Sequence, residues 1–129
     1  MESQGLQALA PDINMATVTD GRGGIFTYYP SDPIVEVNLV MINSGKVRGF
    51  HFHKEFDEYF MIISGFGVYV SYDQDGKIVE TPVSGGEMFK VPKGTPHVVY
   101  AIETLRCVSM LTKRWNDCAE PITFSEVTP

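Results

Sequence analysis

The chain has 129 residues and a mass of 14.4 kDa, which predicts a single domain. Hydrophobic residues make up 43% of the chain and charged residues 20%, proportions that exclude a disordered, coiled-coil or collagen-like protein. Sixteen acidic and ten basic residues give a net charge of −6. Because the basic residues form no cluster, we expect no nucleic-acid partner.

The N-terminal segment, residues 1–14, is polar or small apart from two leucines. We predict that it is flexible or covers a neighbouring subunit. The rest of the chain, residues 15–129, is predicted to form the domain.

Short β-branched and aromatic runs follow at intervals of about ten residues. Between Val35 and Met41, every odd position is apolar, as in a strand buried on one face. Turn residues separate the runs, and Asp75-Gly76 is the best hairpin signal. The pattern predicts about nine strands, over 25–29, 34–42, 47–53, 58–63, 67–72, 77–81, 87–91, 97–102 and 106–111. We therefore expect an all-β fold with little helix, as a closed barrel or a double-sheet jelly roll.

All three histidines of the chain lie within these strands. His51 and His53 are two residues apart, so on a strand they point to the same side, about 7 Å from each other. Glu58 follows after a short loop, and His97 begins a third strand. Three imidazoles and a carboxylate suit one divalent transition metal ion, Fe, Mn, Ni, Zn or Cu, with positions left open for a substrate.

Two other interpretations of these histidines remain open. The same residues also suit a polar active site that holds no metal. Three unrelated core or surface histidines are the plainest alternative.

The spacing of these residues resembles the two sequence motifs of the cupin superfamily. Residues 45–65 resemble the first motif, Gly45-x5-His51-x-His53-x4-Glu58-x6-Gly65. Residues 86–97 resemble the second, Gly86-x5-Pro92-x-Gly94-x2-His97. The second motif usually continues with three residues and an Asn, where this chain has Ala101. The resemblance implies that residues 15–129 form a single-domain cupin β-barrel.

Three further segments, 20–23, 48–51 and 91–97, resemble the small cupins related to nucleotide-sugar 3,4-ketoisomerases and 3,5-epimerases. The arrangement Arg48-x-x-His51-x-His53 is characteristic of the ketoisomerases, whereas the epimerases have the first histidine but typically not the second. The resemblance implies an enzyme, an isomerase or epimerase that transfers a proton next to the carbonyl of a nucleotide-linked keto-sugar.

This chemistry assigns roles to particular side chains. Imidazole titrates near neutral pH and so exchanges protons readily. A guanidinium group pairs bidentately with a diphosphate. The catalytic residues are therefore predicted to be His51, His53, Arg48 and Tyr59. The substrate-binding residues are predicted to be Arg22, Arg48, Tyr100 and Met88. Trp115 follows the last predicted strand and is expected in a lid or terminal cap.

Two other functions remain open. One is a metal-dependent cupin, an oxygenase, lyase or metal-assisted isomerase, with His51, His53, Glu58 and His97 as ligands. The other is a cupin that binds a sugar without catalysis. In each case the expected partner is a small sugar derivative, and the cofactor is one divalent transition metal or none.

Quaternary structure and location follow from general features of the chain. An exposed sheet edge invites association, so we expect a homodimer. Two cysteines, Cys107 and Cys118, are too few for a disulfide framework, which favours the reducing cytoplasm. No signal sequence or apolar run of membrane-spanning length is present, so we expect no membrane partner.

Overall fold

The computed structural model describes residues 16–125, and the segment predicted to be flexible, 1–14, lies outside the described residues. The only helix within 16–125 is a single 3-10 turn, Trp115–Asp117. None of the helical structure described there could span a membrane. The strands are β1 (Ala16–Asp20), β2 (Gly23–Thr27), β3 (Glu36–Ile42), β4 (Val47–Phe52), β5 (Glu58–Tyr72), β6 (Ile78–Ser84), β7 (Met88–Val91), β8 (His97–Leu111) and β9 (Thr123–Phe124). The predicted all-β fold with little helix is confirmed.

Two strands of 15 residues, β5 and β8, organise the domain. They pair antiparallel along nearly their whole length, from Glu58 opposite Leu111 to Ser71 opposite His97. Around the first half of β5 and the second half of β8, the strand order is β7-β5-β8-β3. Around the second half of β5 and the first half of β8, the strand order is β6-β5-β8-β4-β9. Side chains from both halves form one buried core, as in a double-sheet jelly roll.

The two halves meet at Gly65, where the pairing of β5 with β8 shifts register. Gly65 has a φ of 100°, and a Cβ atom at this position would lie 2.1 Å from the carbonyl oxygen of Thr104. Only glycine allows the two backbones to approach so closely. The sequence predicted separate strands over 58–63 and 67–72, and over 97–102 and 106–111. Each pair is one strand, because the pairing continues through the bend.

Other strand boundaries also differ from the prediction. Strands β1 and β9 were not predicted, because each depends on a partner rather than on its own pattern. Strand β6 extends past Pro82 to Ser84, beyond the predicted 77–81. Proline is tolerated there because β6 is the last strand of its sheet.

Two buried tyrosines offer a test of how the core is stabilised. The hydroxyl of Tyr59 lies 3.3 Å from the backbone nitrogen of Ser31, which donates to it, and 3.2 Å from the Ser31 hydroxyl. The hydroxyl of Tyr69 has no hydrogen-bond partner in the described part of the chain. The nearby Ser71 hydroxyl donates instead to the Pro96 carbonyl. Burial raises the pKa of Tyr69 to about 12.

We expect Tyr69→Phe to leave the free energy of unfolding unchanged or to raise it by up to about 1 kcal/mol, because it removes an unsatisfied buried hydroxyl. The matched variant Tyr59→Phe loses the hydrogen bonds to Ser31, so its free energy of unfolding should fall by about 1 kcal/mol. Urea unfolding of both variants measures the difference. A larger loss for Tyr69→Phe would mean that its hydroxyl has a partner in solution.

Candidate functional site

A β-bulge in β4 determines which side chains face the core. Arg48 and His51 are three residues apart, so in a regular strand they would point to opposite faces. However, Gly49 pairs with Val98 and His51 pairs with the very next residue of β8, His97. Phe50 is therefore an extra residue in the strand, and its φ is 58°. The bulge places Arg48 and His51 on the same side, where both line one cavity.

The three imidazoles meet at this cavity. The ring centroid of His51 lies 4.8 Å from that of His53 and 4.8 Å from that of His97. One ring nitrogen from each histidine lies within 4.8 Å of the others. Glu58 begins β5, and its Oε1 lies 3.2 Å from His53 Nε2. The structure thus brings together the four residues predicted as metal ligands.

Backbone carbonyls orient two of the imidazoles. The Nδ1 of His97 lies 2.9 Å from the Thr95 carbonyl, and the Nδ1 of His53 lies 2.9 Å from the Pro121 carbonyl. A carbonyl only accepts hydrogen bonds, so both Nδ1 atoms donate. In neutral His97, Nε2 then carries the free lone pair, which is the tautomer a metal ion requires. Pro121 lies just before β9, which pairs with β4 and holds this segment behind His53.

The electrostatics of the site favour neutral His51 and His97 beside a charged carboxylate. Burial, together with the charges of His97 and His53, lowers the pKa of His51 to about 4. Burial also lowers the pKa of His97. Burial alone would raise the pKa of Glu58, but hydrogen bonds from His53 and Ser109 outweigh it and keep the pKa below its ordinary value. The Ser109 hydroxyl donates to Glu58 Oε2 at 2.5 Å. Neutral imidazole and ionised carboxylate are the forms that bind a divalent cation.

The cavity has a volume of about 330 Å³, at the lower end of the range for small-molecule sites. Apart from Arg48 and the four converging residues, its walls are apolar: Leu39, Val40, Met41, Ile42, Phe60, Val99 and Trp115. The site therefore combines a polar centre and one guanidinium group with apolar walls.

Val99 and Trp115 are among the wall residues that the sequence analysis did not place in the cavity. Phe60 lies two residues after Glu58 and Val99 two residues after His97, so strand alternation could have identified both. Trp115 was predicted only as part of a lid or cap. Its ring centroid lies 6.1 Å from that of His53, and no pattern within one strand could have indicated this contact.

The structure does not bring Tyr59 or Tyr100 to the cavity. Tyr59 follows Glu58 on β5 and points to the opposite side, where its hydroxyl meets Ser31 and its ring packs against Tyr28. Tyr100 follows Val99 on β8 and therefore also points away from the cavity. It packs against a second, smaller apolar cluster. Strand alternation excludes both residues from the wall.

Arg22 and Met88 also lie away from the cavity. Arg22 sits in the turn between β1 and β2, where its guanidinium forms an ion pair with Asp20 at 2.7 Å. Met88 lies on β7 opposite Met61. Of the residues predicted to bind substrate, only Arg48 lines the cavity.

The family model described as Cupin matches residues 33–125. The chain belongs to the cupin family. The resemblance inferred from the two motifs is thereby confirmed. No curated protein sequence matches the chain significantly.

Solved structures share this cupin's fold at low identity. The capsular polysaccharide assembling protein CapF from Staphylococcus aureus has a TM-score of 0.66 and 23% identity, over 87% of this chain and 32% of CapF. The cupin thus spans about a third of the length of CapF.

Two further structures of similar fold are of proteins named for enzymatic activities. The Legionella pneumophila dTDP-6-deoxy-D-glucose-3,5-epimerase RmlC, solved with dTDP-4-keto-L-rhamnose, has a TM-score of 0.66 and 19% identity, over 86% of this chain and 69% of that one. The Bacillus subtilis oxalate decarboxylase, with Mn(II) centres, has a TM-score of 0.59 and 22% identity, over 73% of this chain and 24% of that one. Fold similarity therefore extends to sugar epimerases and to a metal-containing cupin.

Proposed function

We propose that this cupin is an isomerase or epimerase of a keto-sugar and that it holds one divalent transition metal ion. The observation that carries the proposal is the convergence of His51, His53 and His97 beside Glu58 in one cavity. Fold similarity to nucleotide-sugar epimerases and to a cupin with Mn(II) centres supports the two parts of the proposal separately.

The donor set fits such an ion. Three imidazoles and one carboxylate are typical of sites for Mn, Fe, Ni, Zn or Cu. The Thr95 and Pro121 carbonyls orient His97 and His53 through Nδ1, which leaves Nε2 of each ring as the atom that would bind the ion. When bound, the ion polarises a carbonyl oxygen and stabilises the negative charge that develops when a proton leaves the neighbouring carbon.

The remaining walls suit a sugar that carries an anionic group. Arg48 is the only cationic side chain that lines the cavity within the described residues, and its guanidinium can pair bidentately with a phosphate or carboxylate. Phe60, Val99 and Trp115 offer apolar surface to the carbon face of a sugar ring and exclude water from it. At about 330 Å³ the cavity has room for a sugar, so an attached nucleotide would extend beyond it.

A metal-free isomerase is the second candidate, with His51 as the base. His51 is the least buried of the three imidazoles, and its pKa of about 4 keeps it unprotonated at neutral pH. His53 is less suited to this role, because its Nδ1 donates to Pro121 and its Nε2 lies against Glu58. Both ring nitrogens of His53 are thus occupied, whereas His51 remains able to accept a proton.

Metal content and proton exchange distinguish the two candidates. Untagged protein is purified without added metal, and its metal content is measured by mass spectrometry. Deuterium incorporation from solvent is then followed beside the carbonyl of a dTDP-linked 4-keto-sugar, with and without a chelator. We expect near-stoichiometric metal, with exchange that is lost on chelation and restored by one metal. Exchange that persists without metal would favour His51 as the base, and no exchange in any state would contradict both candidates.

Arg48→Gln tests the anion contact in the same assay. We expect exchange at low substrate concentration to slow by at least about tenfold, because one bidentate charged contact is lost. The effect should fall on KM more than on kcat. Lys77→Gln removes an exposed charge in the β5–β6 turn and serves as the control. Equal rates for Arg48→Gln and the unmodified protein would show that Arg48 does not contact the substrate.

A further inference from the structure

Residues 113–120, the strap, come after β8 and end directly before Pro121. Two features of the candidate site depend on them. Trp115, within the strap, forms part of the cavity wall. Pro121 accepts the hydrogen bond from Nδ1 of His53. Every residue of the strap is at least partly exposed, so burial in the core does little to hold it, and its polar contacts decide where it lies.

One carboxylate, that of Glu55 in the loop between β4 and β5, contacts both ends of the strap. Its Oε1 accepts a hydrogen bond of 2.9 Å from Nζ of Lys113, the first residue of the strap. Its Oε2 accepts one of 2.7 Å from the backbone nitrogen of Glu120, the last residue. Hydrogen bonds to an ionised carboxylate are roughly twice as strong as neutral ones, and this side chain is only 22% exposed. Glu55 therefore closes the strap into a loop.

Glu55 also connects the strap to the loop that carries His53, which lies two residues earlier in the chain. Because Pro121 follows Glu120 directly, the contact of Glu55 with the Glu120 nitrogen fixes the backbone just before the carbonyl that orients His53. Strand β9 fixes the backbone after this carbonyl, through its pairing with β4. Glu55 and β9 together therefore set the position of the Pro121 carbonyl.

Two further contacts restrain the strap at other points. The backbone nitrogen of Trp115 donates to Glu36 Oε1 on β3 at 2.8 Å, which holds the middle of the strap. Nζ of Lys54 lies 3.1 Å from Glu120 Oε1, but these two side chains are 50% and 49% exposed, so water screens their attraction. Neither contact fixes the backbone beside the Pro121 carbonyl. Loss of Glu55 should therefore loosen the strap without detaching it.

We propose that Glu55 is a positioning residue, which holds the strap so that the Pro121 carbonyl orients His53 and the Trp115 ring closes the cavity wall. The proposal rests on the proposed function, because it takes His53 as a working group of the site. Within residues 16–125, those that line the cavity do not include Glu55, and the strap engages both of its oxygens. Glu55 therefore acts through the strap and not by contact with an ion or a substrate.

Fluorescence and NMR spectroscopy test this role directly. Trp115 is the only tryptophan of the chain, and it is 38% exposed. We expect Glu55→Ala to raise the acrylamide quenching constant of Trp115 by about twofold or more, because a loosened strap exposes the ring further. The proton on Nδ1 of His53 is buried and hydrogen-bonded, so it should give a slowly exchanging NMR signal in the unmodified protein. This signal should be lost in Glu55→Ala.

Metal affinity measures the consequence for the site. Glu55→Ala should bind Zn²⁺ about tenfold more weakly, which is the loss expected when a residue that orients a ligand is removed. Glu55→Gln keeps an oxygen that can accept from the Glu120 nitrogen, so it should retain more of the affinity than Glu55→Ala. Glu80→Ala removes the same charge from an exposed position on β6 and serves as the control. Its quenching constant, NMR signal and Zn²⁺ affinity should equal those of the unmodified protein.

The variant Lys113→Ala separates the effect of the strap from the effect of the charge on Glu55. Loss of a nearby negative charge by itself weakens cation binding, whereas loss of a nearby positive charge strengthens it. Release of the strap weakens cation binding in both variants. We therefore expect Lys113→Ala to raise Trp115 quenching and to weaken Zn²⁺ binding, in the same direction as Glu55→Ala. Tighter Zn²⁺ binding in Lys113→Ala would overturn the proposal.

The fluorescence and NMR measurements need no metal, so they test the role of Glu55 independently of the proposed function. An unmodified protein that binds no Zn²⁺ would contradict the metal site, whereas Trp115 quenching and the His53 signal would still decide whether Glu55 holds the strap. Unchanged values of both in Glu55→Ala would contradict the positioning role, whatever the metal content.

Discussion

Replacing His97 with Asn is expected to weaken the binding of Zn²⁺ or Mn²⁺ by at least about 100-fold. Loss of a residue that merely orients a ligand costs roughly 10- to 100-fold in metal affinity, so loss of a ligand should cost no less. Asn keeps a side-chain donor that can reach the Thr95 carbonyl, which limits damage to this 2% exposed position. Titration against a chelator of known affinity measures the change.

The control for His97→Asn is Cys118→Ser, which removes the more accessible of the two free thiols. Its metal affinity should equal that of the unmodified protein. Because the chain has only three histidines and all three meet in the cavity, their imidazole NMR signals should shift together when metal is added. Unchanged affinity in His97→Asn would place the metal elsewhere.

Replacing Gly65 with Ala is expected to lower the free energy of unfolding by about 3 kcal/mol or more. The added methyl group would lie 2.1 Å from the carbonyl oxygen of Thr104, and neither backbone can move without breaking the pairing of β5 with β8. The φ of 100° adds further strain for any residue with a Cβ atom. Urea unfolding measures the loss.

The variant Gly76→Ala separates the effect of the contact with Thr104 from the effect of the positive φ. Gly76 has a similar positive φ of 78° in the β5–β6 turn, but a Cβ atom there would meet no other atom within 4 Å. This variant should lose only about 1 kcal/mol, the cost of the left-handed conformation. Similar losses in both variants would mean that the contact with Thr104 relaxes freely and that only the backbone conformation matters.

Much of the fold and site could be predicted because the signals are local. Alternating apolar residues along β3 predict a strand without knowledge of its partner. The predicted face is wrong, however, because Val37, Leu39 and Met41 are exposed and the even-numbered Val40 and Ile42 face the core. The spacing of His51 and His53 places both on one side of a strand, whatever the strand pairs with. The turn residues around Gly76 end one strand and start the next. Such features depend on neighbours in the chain, so one sequence is enough to identify them.

The residues that the sequence analysis assigned to the site but that lie outside the cavity share a different property. Tyr59 and Tyr100 were assigned to the site by chemical type, although each stands next to a residue that faces the cavity. Alternation alone would have placed them on the far side. Arg22 was assigned through resemblance, and in the described chain it lies in a hairpin that pairs only with itself. The chemical type of a residue does not determine which face of the sheet its side chain occupies, because that depends on strand register.

The sequence by itself determined the all-β cupin fold and the four residues that converge on the cavity. Both depend on residue spacings within two motifs, residues 45–65 and 86–97. Only the tertiary structure decided that the bulge at Phe50 turns Arg48 toward His51, that Pro121 orients His53 and that Trp115 closes the wall. These contacts join segments up to about seventy residues apart through strand register, which is set by how the whole core packs and not by any single strand.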